Sequence, residues 1–175
     1  TLLERAVAAS RERSFEGRLL VATLGVGGPS VTEAEVAQSA GGALQVRSTE
    51  SWVVGRDDDA AYMWQIDAGT LLRFGDVEPA SWSLSALLRK YAVRRVGAVD
   101  LRTGEATELA LRERGTDQDR ERLFVDAVSD LVVRRETYDR RGDPVRVVAY
   151  TALEVAEPTM APPPTAPTED LGGFE

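Results

Sequence analysis

The sequence predicts a mostly β protein of the α+β class, in which one large curved antiparallel sheet carries helices on its concave face. Two observations predict this class. About ten short strand-like runs are joined by turns, and two helical segments, one before the strands and one among them, are apolar on one side only. Because such a sheet and such helices bury their apolar faces against each other, one layer of helices on one side of the sheet satisfies both.

The chain begins with a helix signal. Thr1 and Glu4 have the spacing of a capping box, and Leu3, Ala6 and Val7 form an apolar stripe at helical spacing. We therefore expect a short helix that ends near residue 14. The strand-like runs that follow it are separated by glycine-containing or acidic turns, and they are residues 15–24, 31–39, 43–48, 51–54, 60–67 and 70–74. The glutamate and alanine content of residues 31–39 would also suit a helix.

A second helix is expected after residue 80, where Ser81 or Ser83 can act as the N-cap. The stripe at i, i+3, i+4 and i+7 consists of Leu84, Leu87, Leu88 and Tyr91. Two further strands, residues 92–101 and 106–113, follow this helix and are joined by a turn around Gly104.

The last strands form the clearest pattern in the chain. Residues 123–128, 131–138 and 145–155 are strand-like, and the Asp139–Gly142 turn has the form of a type I turn closed by a left-handed glycine. Strict alternation through residues 145–155 places Leu153 on the apolar face and Tyr150 on the opposite, wetter face. This segment predicts an antiparallel meander.

The composition changes at the end of the meander. We expect residues 1–156 to form one domain, and residues 157–175, which contain Pro158, Pro162, Pro163, Pro164 and Pro167, to be a disordered linker that could lead to a second domain. The chain starts at Thr1 and not at methionine, so we expect that a targeting segment has been removed. No run is long and apolar enough for a membrane span.

Charge and composition exclude several classes of function. The formal net charge of −8 disfavours a nucleic-acid partner. The absence of cysteine and histidine removes thiol nucleophiles, imidazole bases and Cys/His zinc sites. No carboxylate lies beside a nucleophile in a recognisable motif, so we assign no catalytic residue and expect neither a cofactor nor a metal.

Several segments of the chain share one pattern of strand spacing and turn residues. They are Ser14-Phe15-Glu16-Gly17, Tyr91-Ala92-Val93, Leu109-Ala110-Leu111, Phe124-Val125-Asp126, Leu131-Val132-Val133-Arg134, Glu136-Thr137-Tyr138-Asp139 and Gly142. In this pattern, residues 1–155 resemble the LolA-like superfamily and, within it, the N-terminal domain of the RseB/MucB regulators of extracytoplasmic-stress sigma factors. The proline-rich tail favours the RseB branch, in which a second domain follows a linker.

The resemblance implies an unclosed half-barrel around helices, with an apolar cavity for acyl chains. It also implies a non-enzymatic protein outside the cytoplasm, in the periplasm or cell envelope, that binds the extracytoplasmic segment of an anti-sigma factor and shields it from proteolysis. A lipid or mislocalised envelope molecule would then release it. The alternatives are a LolA-like lipoprotein or lipid carrier and, with no histidine or cysteine to support it, an enzyme on the same scaffold.

Large apolar side chains are the candidates for this cavity. They are Trp52, Trp64, Phe74, Trp82, Leu84, Leu87, Leu88 and Tyr91. The alternative for each is ordinary core packing between sheet and helix, which is the better explanation of any single apolar residue.

Charged and glycine-rich clusters have simpler explanations. Asp57-Asp58-Asp59 could hold a hard cation, but a solvated turn fits better. Gly25–Gly28 lacks the Lys-Ser/Thr of a phosphate loop. The Arg134-Arg135 and Arg140-Arg141 pairs could meet an acidic peptide or lipid headgroups, or could be solvated strand ends.

Overall fold

The computed structural model describes residues 1–25, 27–40, 42–48, 52–56, 61–65, 70–74, 84–160 and 168–170. Its two helices are α1 (Leu2–Glu12) and α2 (Leu84–Lys90). The strands are β1 (Phe15–Gly25), β2 (Gly28–Gln38), β3 (Leu44–Ser48), β4 (Trp52–Arg56), β5 (Ala61–Gln65), β6 (Thr70–Phe74), β7 (Tyr91–Leu101), β8 (Gly104–Glu113), β9 (Asp119–Asp126), β10 (Val132–Tyr138), β11 (Pro144–Glu154) and β12 (Thr168–Asp170).

All twelve strands form one open sheet in the order β12-β6-β5-β4-β3-β2-β1-β11-β10-β9-β8-β7. Within β1–β6 and within β7–β11, strands that are consecutive in the chain pair antiparallel. β1 also pairs antiparallel with β11, and β12 pairs parallel with β6. The two edge strands, β7 and β12, have no described partner on their outer sides. The predicted fold class, an unclosed and mostly antiparallel sheet, is confirmed.

Helix α1 is the element around which the sheet curves. Leu3, Ala6 and Val7 pack with residues of β7, β8 and β9, while Ala9 packs in a cluster that reaches β2 and β3. Eight flat strands from β3 to β7 would extend about 34 Å, whereas the helix is only about 16 Å long. A helix of this length reaches both groups only if the sheet bends around it.

The predicted start of α1 is confirmed in detail. Thr1 Oγ1 accepts a hydrogen bond from the Glu4 amide, and the Glu4 side chain contacts the Thr1 backbone nitrogen, which completes the capping box. At the other end of the helix, the Gln38 side-chain amide donates to the Ser10 and Arg13 carbonyl oxygens. The amide thereby satisfies carbonyl groups that the last turn of a helix leaves without partners.

Helix α2 is shorter than the sequence predicts. The apolar stripe suggests a helix through Tyr91, but the helix ends at Lys90 and Tyr91 is the first residue of β7. Tyr91 is nevertheless buried. At this position β-sheet pairing with β8 replaces the last helical turn. The Tyr91 side chain therefore enters the core from a strand and not from a helix.

The alternation predicted for the last strand is interrupted by a β-bulge. Arg18 pairs with Ala152 and Leu19 pairs with Tyr150, so Thr151 has no partner on β1. An extra residue reverses the phase of the side chains beyond it. Tyr150 therefore packs against the same core cluster as Leu153 and lies edge-on to Phe15, with ring centroids 5.8 Å apart. Its placement on the opposite face was wrong.

The proline-rich tail is partly ordered where the structure describes it. Pro158 is buried, and Glu157 accepts a hydrogen bond from the Ser14 hydroxyl. Further along, β12 pairs parallel with β6, Thr168 lying opposite Leu71. The division of the chain into residues 1–156 and 157–175 stays a prediction.

Candidate functional site

The candidate site is a cavity of about 720 Å³ on the helix-bearing face of the sheet. It lies between the first turns of α1, Leu88 of α2, and the strands β7, β8 and β9. Its apolar lining consists of Leu2, Leu3, Leu88, Tyr91, Val93, Leu109 and Val125. The volume is in the range of known small-molecule pockets, which measure about 300–1,000 Å³.

Alternation along three neighbouring strands builds the wall of this cavity. Val93 pairs with Leu111, and Leu109 pairs with Leu123, so these side chains point to the same face. Leu109, Leu111, Leu123 and Val125 are at most 3% exposed and pack against α1. The cavity therefore adjoins a rigid core, and its apolar wall is held in place by close packing.

A buried polar network lies at one side of the wall. The Tyr91 hydroxyl donates a 3.1 Å hydrogen bond to Glu121 Oε1, and the Arg135 guanidinium contacts Glu121 Oε2 at 2.9 and 2.8 Å. A buried carboxylate is tolerated when it is paired and hydrogen-bonded, as Glu121 is here. The network fixes the position of the Tyr91 ring beside the cavity.

The rim of the cavity is charged. Arg5 donates from Nε to both carboxylate oxygens of Asp130, at 3.2 and 3.1 Å. Asp130 has a left-handed backbone with φ of 59°, and the preceding turn is held by Asp126 Oδ1, which accepts from the Ser129 amide at 2.7 Å. An apolar lining with a charged rim suits an amphipathic ligand better than a fully apolar or fully polar one.

The structure brings two of the predicted site residues into this cavity. Tyr91 and Leu88 line it, whereas Leu84 and Leu87 pack against the adjoining core cluster. Trp52, Trp64 and Phe74 are residues of β4, β5 and β6 whose side chains lie outside the description, and Trp82 lies outside the described residues. A joint cavity lined by all eight residues therefore stays a prediction.

Several lining residues were missed by the sequence reasoning. Leu3 was assigned to the apolar stripe of a helix, and Val93, Leu109 and Val125 belonged to predicted strands. Their periodicity indicated a buried face, but only the strand order brings them together around one space. Arg5, Arg95 and Arg114 on the rim carried no local signal.

The predicted basic cluster, Arg134-Arg135 of β10 and Arg140-Arg141 of the following turn, does not form one patch. Arg134 contacts Glu136 and lies over the Phe124 ring at 5.3 Å, while its neighbour Arg135 binds Glu121 on the helix-bearing face. Arg140 and Arg141 are exposed in the β10–β11 turn. The acidic triplet Asp57–Asp59 lies outside the described residues.

A second depression of about 520 Å³ lies over β11, β1, β2 and β3. Arg18, Glu35 and Arg47 are aligned across three strands and line it, together with Thr159 from the tail. Most of its lining is charged or polar, so it is a weaker candidate for an apolar ligand.

The described part of the chain shows no group of three or more histidine, cysteine, aspartate or glutamate side chains arranged to hold a metal ion. Among the same residues, no helix has the length and apolar character required to cross a membrane.

Comparisons with solved structures identify the fold. A chain of the Pseudomonas aeruginosa MucA/MucB complex is 22% identical with a TM-score of 0.69, and the match covers 90% of this chain and 57% of that one. A crystal structure of MucB is 21% identical with a TM-score of 0.68, covering 90% and 59%. An uncharacterised conserved protein from Thermus thermophilus is 13% identical with a TM-score of 0.67, covering 97% and 96%.

The chain thus spans somewhat more than half the length of the MucB structures that it matches. No protein-family model matches it, and no curated protein sequence matches it. At these identities the similarity establishes the fold, and we conclude that the chain adopts the fold found in the matched part of MucB.

Proposed function

We propose that this protein is a non-enzymatic regulator outside the cytoplasm that binds the extracytoplasmic segment of an anti-sigma factor. The observation that carries the proposal is the shared fold with MucB, over 90% of the chain, in a structure in which MucB is bound to MucA. The RseB/MucB regulators that the sequence resembles act in this way, in the periplasm or cell envelope.

We further propose that the cavity described above binds the acyl part of a lipid or lipoprotein. Burying a methylene group gains about 0.8 kcal/mol, so a chain of about twelve gains about 10 kcal/mol before losses. Association costs at least about 4 kcal/mol in lost freedom. A cavity of about 720 Å³ with apolar walls is therefore sufficient for measurable binding of a single acyl chain.

Binding of the partner is tested with the extracytoplasmic segment of the anti-sigma factor encoded in the same genome. We expect saturable binding by isothermal titration calorimetry and slower proteolytic cleavage of the segment when the protein is present. An unrelated segment of equal length and charge serves as the control. A segment that is neither bound nor protected would contradict the regulatory proposal.

Ligand binding is tested separately by native mass spectrometry and by uptake of a fluorescent fatty acid. Leu88→Asp places a charge in the lining of the cavity and should weaken uptake by about tenfold or more. Leu24→Asp is the matched control, because Leu24 is 38% exposed and Leu88 is 41% exposed, while Leu24 lies on β1 away from the cavity. Equal uptake by both variants would show that the acyl chain does not occupy this cavity.

The same cavity supports a second candidate function, that of a LolA-like lipid or lipoprotein carrier. A carrier would take up the fatty acid and transfer it to acceptor vesicles without binding the anti-sigma segment. The two assays together therefore separate the regulator from the carrier.

A further inference from the structure

The outer edge of the sheet at β7 differs from the rest of the surface in its charge. Five exposed basic residues lie on this strand or directly beside it: Arg89, Lys90, Arg94, Arg95 and Arg114. Arg94 pairs with Asp119, whereas the other four form no ion pair among the described residues. The whole chain, in contrast, has a formal net charge of −8.

Local contacts hold two of these cations, Lys90 and Arg114, at the edge. The Arg114 amide donates to the Lys90 carbonyl oxygen at 3.0 Å, and Arg114 Nε donates to the Leu88 carbonyl oxygen at 3.1 Å. The Lys90 ammonium lies 5.0 Å from the centre of the Tyr91 ring. The charges of Lys90 and Arg114 therefore have defined positions beside the strand.

β7 also has free backbone groups. It pairs with β8 on one side, and no described strand pairs with the other side. In an antiparallel ladder alternate residues direct their N–H and C=O groups away from the existing partner. An edge strand of this kind can accept another extended chain, which is the binding mode known as β-augmentation.

A bulge divides the strand into two parts. Arg95 pairs with Leu109 and Gly97 pairs with Glu108, so Val96 has no partner and is 46% exposed. Bulges increase the local twist and hinder pairing across them. Residues 91–95 and 97–101 are therefore separate segments of the edge, and residues 91–95 are the segment beside the basic residues.

The cavity adjoins this same half of the edge. Val93 and Arg95 belong to the lining of the cavity, together with Arg114 and Leu88. A strand added along residues 91–95 would place alternate side chains at the cavity rim and the others toward the opposite face.

We propose that residues 91–95 of β7 bind an extended acidic segment of a partner protein as an additional strand. The cations Arg89, Lys90, Arg95 and Arg114 would provide the charge complementarity, and the backbone would provide the hydrogen bonds. A partner sequence that alternates acidic and apolar residues fits best, because its apolar side chains would cover the cavity rim. Charged residues on an edge strand also prevent unwanted pairing, so a direct binding test is required.

The probe is a short capped peptide of alternating glutamate and valine, titrated into the full chain. We expect saturable binding and slower hydrogen exchange at residues 91–95. The same peptide with N-methyl groups on all of its amides should not bind, because neither of its edges can then donate hydrogen bonds to the ladder. A peptide of alternating lysine and valine should not bind either.

Charge is tested by the double variant Arg95→Glu/Arg114→Glu, which should weaken binding by about tenfold or more. Arg102→Glu/Arg140→Glu makes the same change in net charge at two exposed turn residues and should bind within about twofold of wild type. Urea unfolding of each variant establishes that both remain folded.

Several results would overturn the proposal. One is the absence of peptide binding, and another is equal binding of the N-methylated peptide. A third is binding of phosphatidylglycerol vesicles, but not of the peptide, with the same dependence on Arg95 and Arg114, which would indicate an anionic membrane surface. A fourth is concentration-dependent dimerisation that the Arg95/Arg114 variant abolishes without any peptide binding, which would assign the edge to a second copy. The surface is defined without reference to an anti-sigma factor, so failure of this peptide would leave the proposed function standing.

Discussion

Gly17 on β1 should be intolerant of even a methyl group. A Cβ at this position would lie 2.4 Å from the Ala152 carbonyl oxygen and 3.3 Å from both the Leu153 Cα and the Tyr150 ring. Two of these three neighbours are backbone atoms of β11, next to the bulge at Thr151. They cannot rotate away as the end of a flexible side chain would.

The size of the effect follows from the displacement required. The oxygen must retreat by about 1 Å to reach ordinary contact, which stretches the pairing of β1 with β11. Overpacking of this kind costs about 1–3 kcal/mol. Replacing glycine by alanine also recovers about 0.4–1 kcal/mol by restricting the unfolded chain. We therefore expect Gly17→Ala to lower the free energy of unfolding by about 1–2 kcal/mol.

Gly97→Ala on β7 is the matched control. A Cβ there meets no atom within 4 Å, and the residue has no positive φ. This variant should be as stable as wild type or more stable by about 0.4–1 kcal/mol.

Urea unfolding followed by tryptophan fluorescence measures both changes. At a slope of about 2 kcal/mol/M, Gly17→Ala should move the midpoint down by about 0.5–1 M with an unchanged slope. If Gly17→Ala is as stable as Gly97→Ala, this result would contradict the close approach of β1 and β11 at Gly17.

Three further predictions concern individual contacts. Tyr91→Phe removes the hydrogen bond to the buried Glu121 and should lower the free energy of unfolding by about 1–2 kcal/mol in the same urea assay; an unchanged midpoint would contradict the buried bond. Burial raises the pKa of Tyr138 to about 12, and the hydrogen bond to Glu136 adds to the shift. The contribution of neutral Tyr138 to the free energy of unfolding is therefore fully present below pH 10 and is lost between pH 10 and about 12. Tyr138→Phe should reduce this loss in unfolding curves measured across that range. Gly142 has a φ of 86° in the β10–β11 turn with open space around it, so Gly142→Ala should lower the melting temperature through backbone strain of about 1 kcal/mol, whereas a gain would contradict the left-handed turn.

Much of the fold could be predicted from the sequence because the signals are local. The capping box of Thr1 and Glu4 and the stripe of Leu3, Ala6 and Val7 are contained within three turns of one helix. The turn at Gly142 needs a left-handed residue, and glycine supplies it. Such features depend on neighbours a few residues away, so periodicity and turn chemistry are sufficient to find them.

Bulges could not be predicted in this way. The unpaired Thr151 reverses the side-chain phase of β11 and turns Tyr150 toward Phe15. A register shift also leaves Val96 unpaired on β7. Bulges adjust the twist of a whole sheet as it bends around its core. The alternation of apolar and polar residues in a single strand does not depend on that bend, so it cannot predict where a bulge lies.

The sequence by itself determined the β-rich class, the position of α1 and most of the strands, because each follows from hydrophobic periodicity and backbone preference over short distances. Only the tertiary structure decided that β1 pairs with β11 and that the sheet stays open at β7. It also decided that Leu3, Leu88, Val93 and Leu109 surround one cavity. The physical reason is that strand pairing uses backbone groups that every residue carries, so the choice of distant partners depends on packing across the whole molecule.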